Sequence, residues 1–161
     1  MLKKIFSSGF AWLWLAIVIL ALDRFAKIWV IDHLIMGEPF SILPIFNLTV
    51  AFNTGAAFSF LNSASGWQNI FLGSLAVVVS VVILVWLWRL SVRDYWLCIS
   101  LNLILGGALG NVWDRVLYGY VVDFFDFHLG DWHFAIFNMA DSAITIGAGM
   151  MLLHWLVYPK K

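Results

Sequence analysis

From Pro39 to Trp88 the chain carries no Asp, Glu, Lys or Arg, and the same is true of Tyr95–Trp113 and Ser142–Tyr158. An α-helix needs roughly 20 apolar residues to cross the hydrocarbon core of a bilayer. No water reaches the backbone there, so a spanning chain must be a helix bundle or a closed barrel. Composition agrees with the bilayer reading. Hydrophobic residues make up 63% of the 161 and charged residues 11%, against about 25% charged in a soluble domain.

Four spans are expected. The first covers Phe10–Leu22 and continues through Phe25, Ala26 and Ile28–Ile31. The second and third are Ile70–Trp88 and Tyr95–Trp113, and the fourth runs from about Asn138 to about Tyr158. The first span begins like a secretory signal, with Lys3 and Lys4 before an apolar run. It ends in "ALDRFAK", which fits cleavage poorly, so it reads as a retained helix. Lys3, Lys4, Arg89, Arg93, Lys160 and Lys161 fall at one set of span ends; only Arg24, Lys27 and Arg115 fall at the other. That bias puts both termini in the cytoplasm. All the acids except Asp94 then gather at or near the outer face.

Two outer connections remain. In "FNLTVAFN" the residues Phe46, Leu48, Val50 and Phe52 alternate with Asn47, Thr49, Ala51 and Asn53. A period of two is the pattern of a half-buried strand, here lying on the membrane surface. The second connection, "VVDFFDFHLGDWHFAIF", has a Gly-Asp turn between aromatic stretches and reads as a short hairpin. The expected fold class is an α-helical membrane protein: four transmembrane helices with a small extracytoplasmic β-containing surface element, one domain over 1–161.

Several function classes drop out. Zero net charge and no basic stripe leave nothing for nucleic acid. Cys98 is the only cysteine; it permits no internal disulfide and reads as a packing residue. Asp126, His128, Asp131 and His133 are metal-capable types, but their spacing is no zinc signature, and a wet interfacial hairpin accounts for them. The tryptophans cluster towards span ends, as aromatic belts do.

Helical spacing groups the remaining polar residues. Asp23 and Lys27 are i, i+4 with the acid first, a favourable pair. Gly107, Asn111 and Asp114 recur on one face, with Arg115 beside them. Asn138, Asp141 and Thr145 line a face of the last helix. Asp114 and Arg115 can form a structural ion pair at a helix end. Asp141 can cap its helix, although Asn138 is an equally good cap; an acid at a membrane boundary is also a functional candidate. The hairpin can fold back to bring Asp123 towards Asp141. Two carboxylates in contact cannot both ionise cheaply and so hold one proton near neutrality. One then takes a proton from water while the other gives one to a carbonyl oxygen, which is aspartic-peptidase chemistry needing no cofactor and no metal.

"DRFAK" (Asp23–Lys27), "NTGAAFSF" (Asn53–Phe60), "GGALGNVWDR" (Gly106–Arg115), "GYVVDF" (Gly119–Phe124) and "FNMADSAI" (Phe137–Ile144) occur in that order. Together they resemble signal peptidase II, the bacterial lipoprotein signal peptidase. The resemblance implies an inner-membrane aspartic endopeptidase with a dyad of Asp123 and Asp141. Its substrate would be a prolipoprotein, cut on the N-terminal side of a diacylglyceryl-modified cysteine at the outer face. It further implies that Asn111 and Arg115 hold substrate carbonyls and that Asn53 and Asn138 support the site by hydrogen bonds. Asp23, Lys27 and Asp114 would hold the fold. Membrane lipid is the other expected partner, and the oligomeric state is taken as monomer. Two further readings compete: a small proton-coupled transporter, which would carry acids at several depths and often internal repeats, and a non-enzymatic assembly factor docking through the outer hairpin.

Overall fold

A computed structural model describes residues 2–55 and 67–157. The second half of "NTGAAFSF", from Ala56 on, lies outside the described residues, as do Tyr158, Lys160, Lys161 and the Lys3 side chain. A short helix α1 (Leu2–Ser7) and a 3₁₀ turn (Gly9–Trp12) lead into α2 (Leu13–His33). Strands β1 (Phe40–Leu43) and β2 (Phe46–Asn53) follow, then helices α3 (Trp67–Arg89) and α4 (Tyr95–Tyr118). The chain ends with β3 (Val121–Leu129), β4 (Trp132–His133) and α5 (Met139–Val157). The result is a helical membrane fold with a small antiparallel sheet, ordered β1-β2-β3-β4.

Three of the described helices, α3, α4 and α5, are long and apolar enough to cross a bilayer. The expected first span forms a helix of adequate length, 21 residues in α2. Asp23, Arg24, Lys27 and Asp32 interrupt its apolar run, so hydropathy alone does not single it out. Asp23 and Lys27 face inward and are fully buried, whereas Ile17, Phe25 and Ile28 lie exposed on its outer surface. This is the inside-out pattern of a helix whose polar groups must find partners within the protein.

Small residues set the helix spacing. A Cβ on Gly106 would lie 2.7 Å from the Ala16 carbonyl of α2, and one on Gly107 would overlap the Ala140 carbonyl of α5. One on Gly147 would sit 2.6 Å from the Ser100 carbonyl of α4. The "GGALG" run therefore brings α4 against both α2 and α5. Ala16, Ile83, Leu87, Leu101 and Leu105 fill the bundle, with Cys98 buried beside them. Val30, Val50 and Phe124 form a second core where α2 meets the sheet. Gly119, at φ 78°, closes α4 in the left-handed conformation and turns the chain into β3.

The strand expected at Phe46–Asn53 is β2, with those bounds. Its burial does not follow simple alternation, because the register slips between Leu48 and Ala51. The polar residues Asn47 and Thr49 are buried while Phe52 is exposed. The expected hairpin is β3–β4, with Gly130 at φ 59° in its turn.

Candidate active site

β3 and α5 carry the two expected catalytic acids. Asp123 pairs with Ala51 of β2 and is 3% exposed. Asp141 lies in the first turn of α5. Both line one cavity of about 500 Å³ together with Asn53, Asn111, Arg115 and Thr145. Phe134, Ala135, Ile136, Ile144 and Ile146 supply its apolar wall.

Asn138 ties the two acids together. It sits one residue before α5 and is fully buried. Its side-chain Nδ2 donates to Asp123 Oδ1 at 2.7 Å and to Asn111 Oδ1 at 3.2 Å. Its Oδ1 accepts the Asp141 backbone N–H at 2.9 Å, and its own backbone N–H donates to Asp141 Oδ2 at 3.2 Å. That reciprocal pair is a capping box. Asn138 is thus the cap, and Asp141 is the acid that answers it; the capping and functional readings of Asp141 describe one arrangement. The positive end of the helix dipole lies at the same place and favours negative charge there. Asn111 Nδ2 donates to Asp141 Oδ1 at 2.7 Å, and Asn53 Nδ2 donates to Asp123 Oδ2 at 2.9 Å. Among the described residues the two carboxylates share no direct hydrogen bond.

The environment holds Asp123 protonated far above an ordinary carboxyl. Its pKa rises from 3.8 to about 6, first through burial and then through the negative charge of Asp141. Hydrogen bonds from Asn53 and Asn138 and the Lys27 charge act in the other direction. A raised and a neighbouring carboxyl facing one cavity can exchange a proton with a reacting group, as general acid and base do.

Behind the cavity, Asp23, Lys27 and Asp114 form a fully buried cluster. Lys27 Nζ lies 2.9 Å from Asp23 Oδ2, in an ion pair rather than an aligned hydrogen bond, and 2.8 Å from Asp114 Oδ2. It also donates to Asn111 Oδ1 at 3.2 Å. Asp23 Oδ1 accepts the Ala140 N–H at 3.0 Å, which fixes the start of α5. Asp114 accepts the Val122 N–H at 3.3 Å, beside Asp123 on β3. Unpaired, such charges would cost several kcal/mol each; here every one has a partner.

The suggested Asp114–Arg115 pair does not form. Adjacent residues on a helix do not face each other, and Asp114 instead pairs with Lys27 and Arg24. Arg115 turns to the cavity, with Nη1 on the Asn111 carbonyl at 3.4 Å and Nε unpaired among the described residues. Arg24 was assigned no role from sequence; its guanidinium also lies 5.7 Å from the Tyr118 ring. A second polar group also went unrecognised: Asn47 donates to Asp126 Oδ2 at 3.4 Å, and Asp126 Oδ1 meets His133 Nδ1 at 2.8 Å. Its signals were the polar side of the alternating strand, which carries Asn47, and the hairpin residues Asp126 and His133. Among the described residues no group of three or more His, Cys, Asp or Glu side chains could hold a metal.

The sequence profile described as signal peptidase (SPase) II matches residues 15–157. The chain belongs to the signal peptidase II family. Among its relatives, the lipoprotein signal peptidase of Coxiella burnetii (strain RSA 331 / Henzerling II) is 45% identical over 159 residues, covering 99% of this chain and 98% of that one. That of Photorhabdus laumondii subsp. laumondii is 48% identical over 157 residues, covering 98% and 94%. A solved structure described as a bacterial membrane enzyme, at 2.3 Å resolution, superposes with a TM-score of 0.81. It is 28% identical and covers 94% of this chain and 93% of its own. The signal peptidase II match spans both acids and the whole buried cluster behind them.

Proposed function

We propose that this signal peptidase II family member is the inner-membrane aspartic endopeptidase that removes signal peptides from prolipoproteins, and that it cuts on the N-terminal side of a diacylglyceryl-modified cysteine. One observation carries the reading: Asp123 and Asp141 face a single cavity and are bridged by one fully buried asparagine. Relatives named lipoprotein signal peptidase, alike over nearly the full length, support the substrate class. Nothing in the fold favours a transporter.

In this reading Asp141 takes a proton from water while Asp123 gives one to the scissile carbonyl oxygen. Water's oxygen bonds to the carbonyl carbon and forms a tetrahedral intermediate. The carbon–nitrogen bond then breaks: the amine leaves with the proton held by Asp141, a hydroxyl of the intermediate returns its proton to Asp123 as the carbonyl re-forms, and the two acids again share one. Arg115 and Asn111 hold substrate carbonyls; Asn53 and Asn138 orient the acids. Asp23, Lys27 and Asp114 pin α2, α4 and the start of α5. α2 crosses the bilayer as a fourth span, with its charges turned inward. Both termini are cytoplasmic, and the sheet rests on the outer surface with Phe40, Ile42, Leu43 and Trp132 turned outward. The protein acts as a monomer.

The test is cleavage of a diacylglyceryl-modified prolipoprotein by purified protein in detergent, read as released signal peptide. Asp123→Asn and Asp141→Asn each abolish release, and the unlipidated precursor is cut poorly. Turnover retained by either purified, folded variant would refute the assignment.

A further inference from the structure

The segment between β4 and α5 is tied to β3 through Phe134 and Phe137. Phe137 and Phe125 exchange both main-chain hydrogen bonds, at 2.8 and 3.2 Å, and the Phe134 N–H donates to the Phe127 carbonyl at 2.8 Å. In an antiparallel ladder the residue next to such a pair points its N–H and C=O the opposite way. That residue is Ile136, and its two main-chain groups face away from β3. Neither Ala135 nor Ile136 makes a main-chain hydrogen bond among the described residues. Both line the cavity that holds Asp123 and Asp141, and the next residues along are Phe137 and the bridging Asn138.

Unpaired backbone groups at a lipid boundary are costly, because no dependable water supply satisfies them. An unpaired edge is also a template for another strand. We infer that Ala135–Ile136 is a docking edge for the substrate main chain: an extended segment flanking the scissile bond pairs with the N–H and C=O of Ile136. This rests on the peptidase reading above and adds to it. The edge reads backbone, so it accepts varied side chains. The apolar wall formed by Phe134, Ile144 and Ile146 meets those side chains that alternate towards it. Arg115 and Asn111 line the same cavity and take carbonyls the edge does not reach.

The experiment replaces single amides by esters. An ester removes one N–H donor and weakens one carbonyl acceptor without changing a side chain. In the full-length protein, Ile136 is replaced by its α-hydroxy acid through nonsense suppression, which deletes an N–H that has no partner among the described residues. The expected result is an unchanged melting point with kcat/KM on a diacylglyceryl-modified lipopeptide reduced about 10-fold, the scale of one main-chain hydrogen bond. In parallel, ester analogues of the lipopeptide are scanned with unaltered protein, so this arm holds even where the altered protein folds poorly. One position flanking the scissile bond is expected to lose about 10-fold, with little further loss when combined with the Ile136 ester. Equal cleavage of all analogues, or losses that simply multiply when combined, would overturn the docking edge while leaving the peptidase assignment intact. Failure to cleave the parent lipopeptide would overturn that assignment, and the edge with it.

Discussion

Replacing Asp123 by asparagine should inactivate the protein and yet make it more stable at neutral pH. The folded-state pKa of about 6, against 3.8, means that the fold holds more protons here than the unfolded chain does between those values. Stability therefore falls as pH rises through that window and stays low above it. At 1.36 kcal/mol per unit, the ionised Asp123 costs the fold about 3 kcal/mol. Asparagine never ionises and recovers that amount, but not freely. Asp123 accepts from Asn138 on one oxygen and from Asn53 on the other, and asparagine has a single oxygen. Neither neighbour can turn over to help. Asn138 Oδ1 holds the Asp141 N–H, and Asn53 Oδ1 holds the Gly55 N–H at 3.0 Å. One donor is left facing another, a loss of about 1–2 kcal/mol. The net expectation is a gain of about 1–2 kcal/mol at pH 7 and a loss of about 1–2 kcal/mol near pH 4, where Asp123 is largely protonated. Thermal unfolding of both proteins in one detergent, at pH 4.5 and pH 7, measures the difference directly. A parent–variant difference that is the same at both values, or a variant that melts lower at pH 7, would refute the reasoning.

The buried asparagine and the helix contacts give further tests. Asn138→Ala removes a cap and the donors to Asp123 and Asn111, and should cost about 2–3 kcal/mol. Asn138→Asp keeps the cap and should melt closer to the parent, while both variants fail to release signal peptide. Gly107→Ala drives a methyl into the Ala140 carbonyl and within 2.8 Å of Ile144. It should cost about 1–3 kcal/mol and lower kcat through the displaced Asp141, read by unfolding and by steady-state cleavage. Lys27→Met leaves Asp23 without its cation and should destabilise by about 3–5 kcal/mol, seen as loss of folded protein from membranes. Adding Asp23→Asn should restore part of that protein.

Helices α3, α4 and α5 were legible because uncharged length is a strong signal, and β2 because its alternation was clean. The burial of β2 was not. The polar Asn47 and Thr49 turn in and Phe52 turns out, the reverse of a simple apolar-in alternation. The two acids stood out as carboxylates in apolar surroundings. Their partners were partly visible from helical spacing: Asn111 sits one turn from Arg115 and Gly107, and all three reach the site or α5. Spacing could not rank Arg24 over Arg115 as the partner of Asp114, since that depends on how α2 rotates against α4. The close approach enforced by Gly106 and Gly110 sets that rotation, and no single-helix pattern encodes it. The link from Asn47 through Asp126 to His133 was likewise hidden, because it needs the pairing of β2 with β3.

The ion pairs between α2 and α4 impose an order on biogenesis. Arg24 and Asp114 are 90 positions apart in the chain, so the ribosome delivers α2 long before its counter-charge exists. Until α4 emerges, Arg24 lacks the Asp114 carboxylate it pairs with, and Lys27 has only Asp23 of its two acids. Asp114 arrives only with α4, so late translation completes ion pairs that early translation leaves half made.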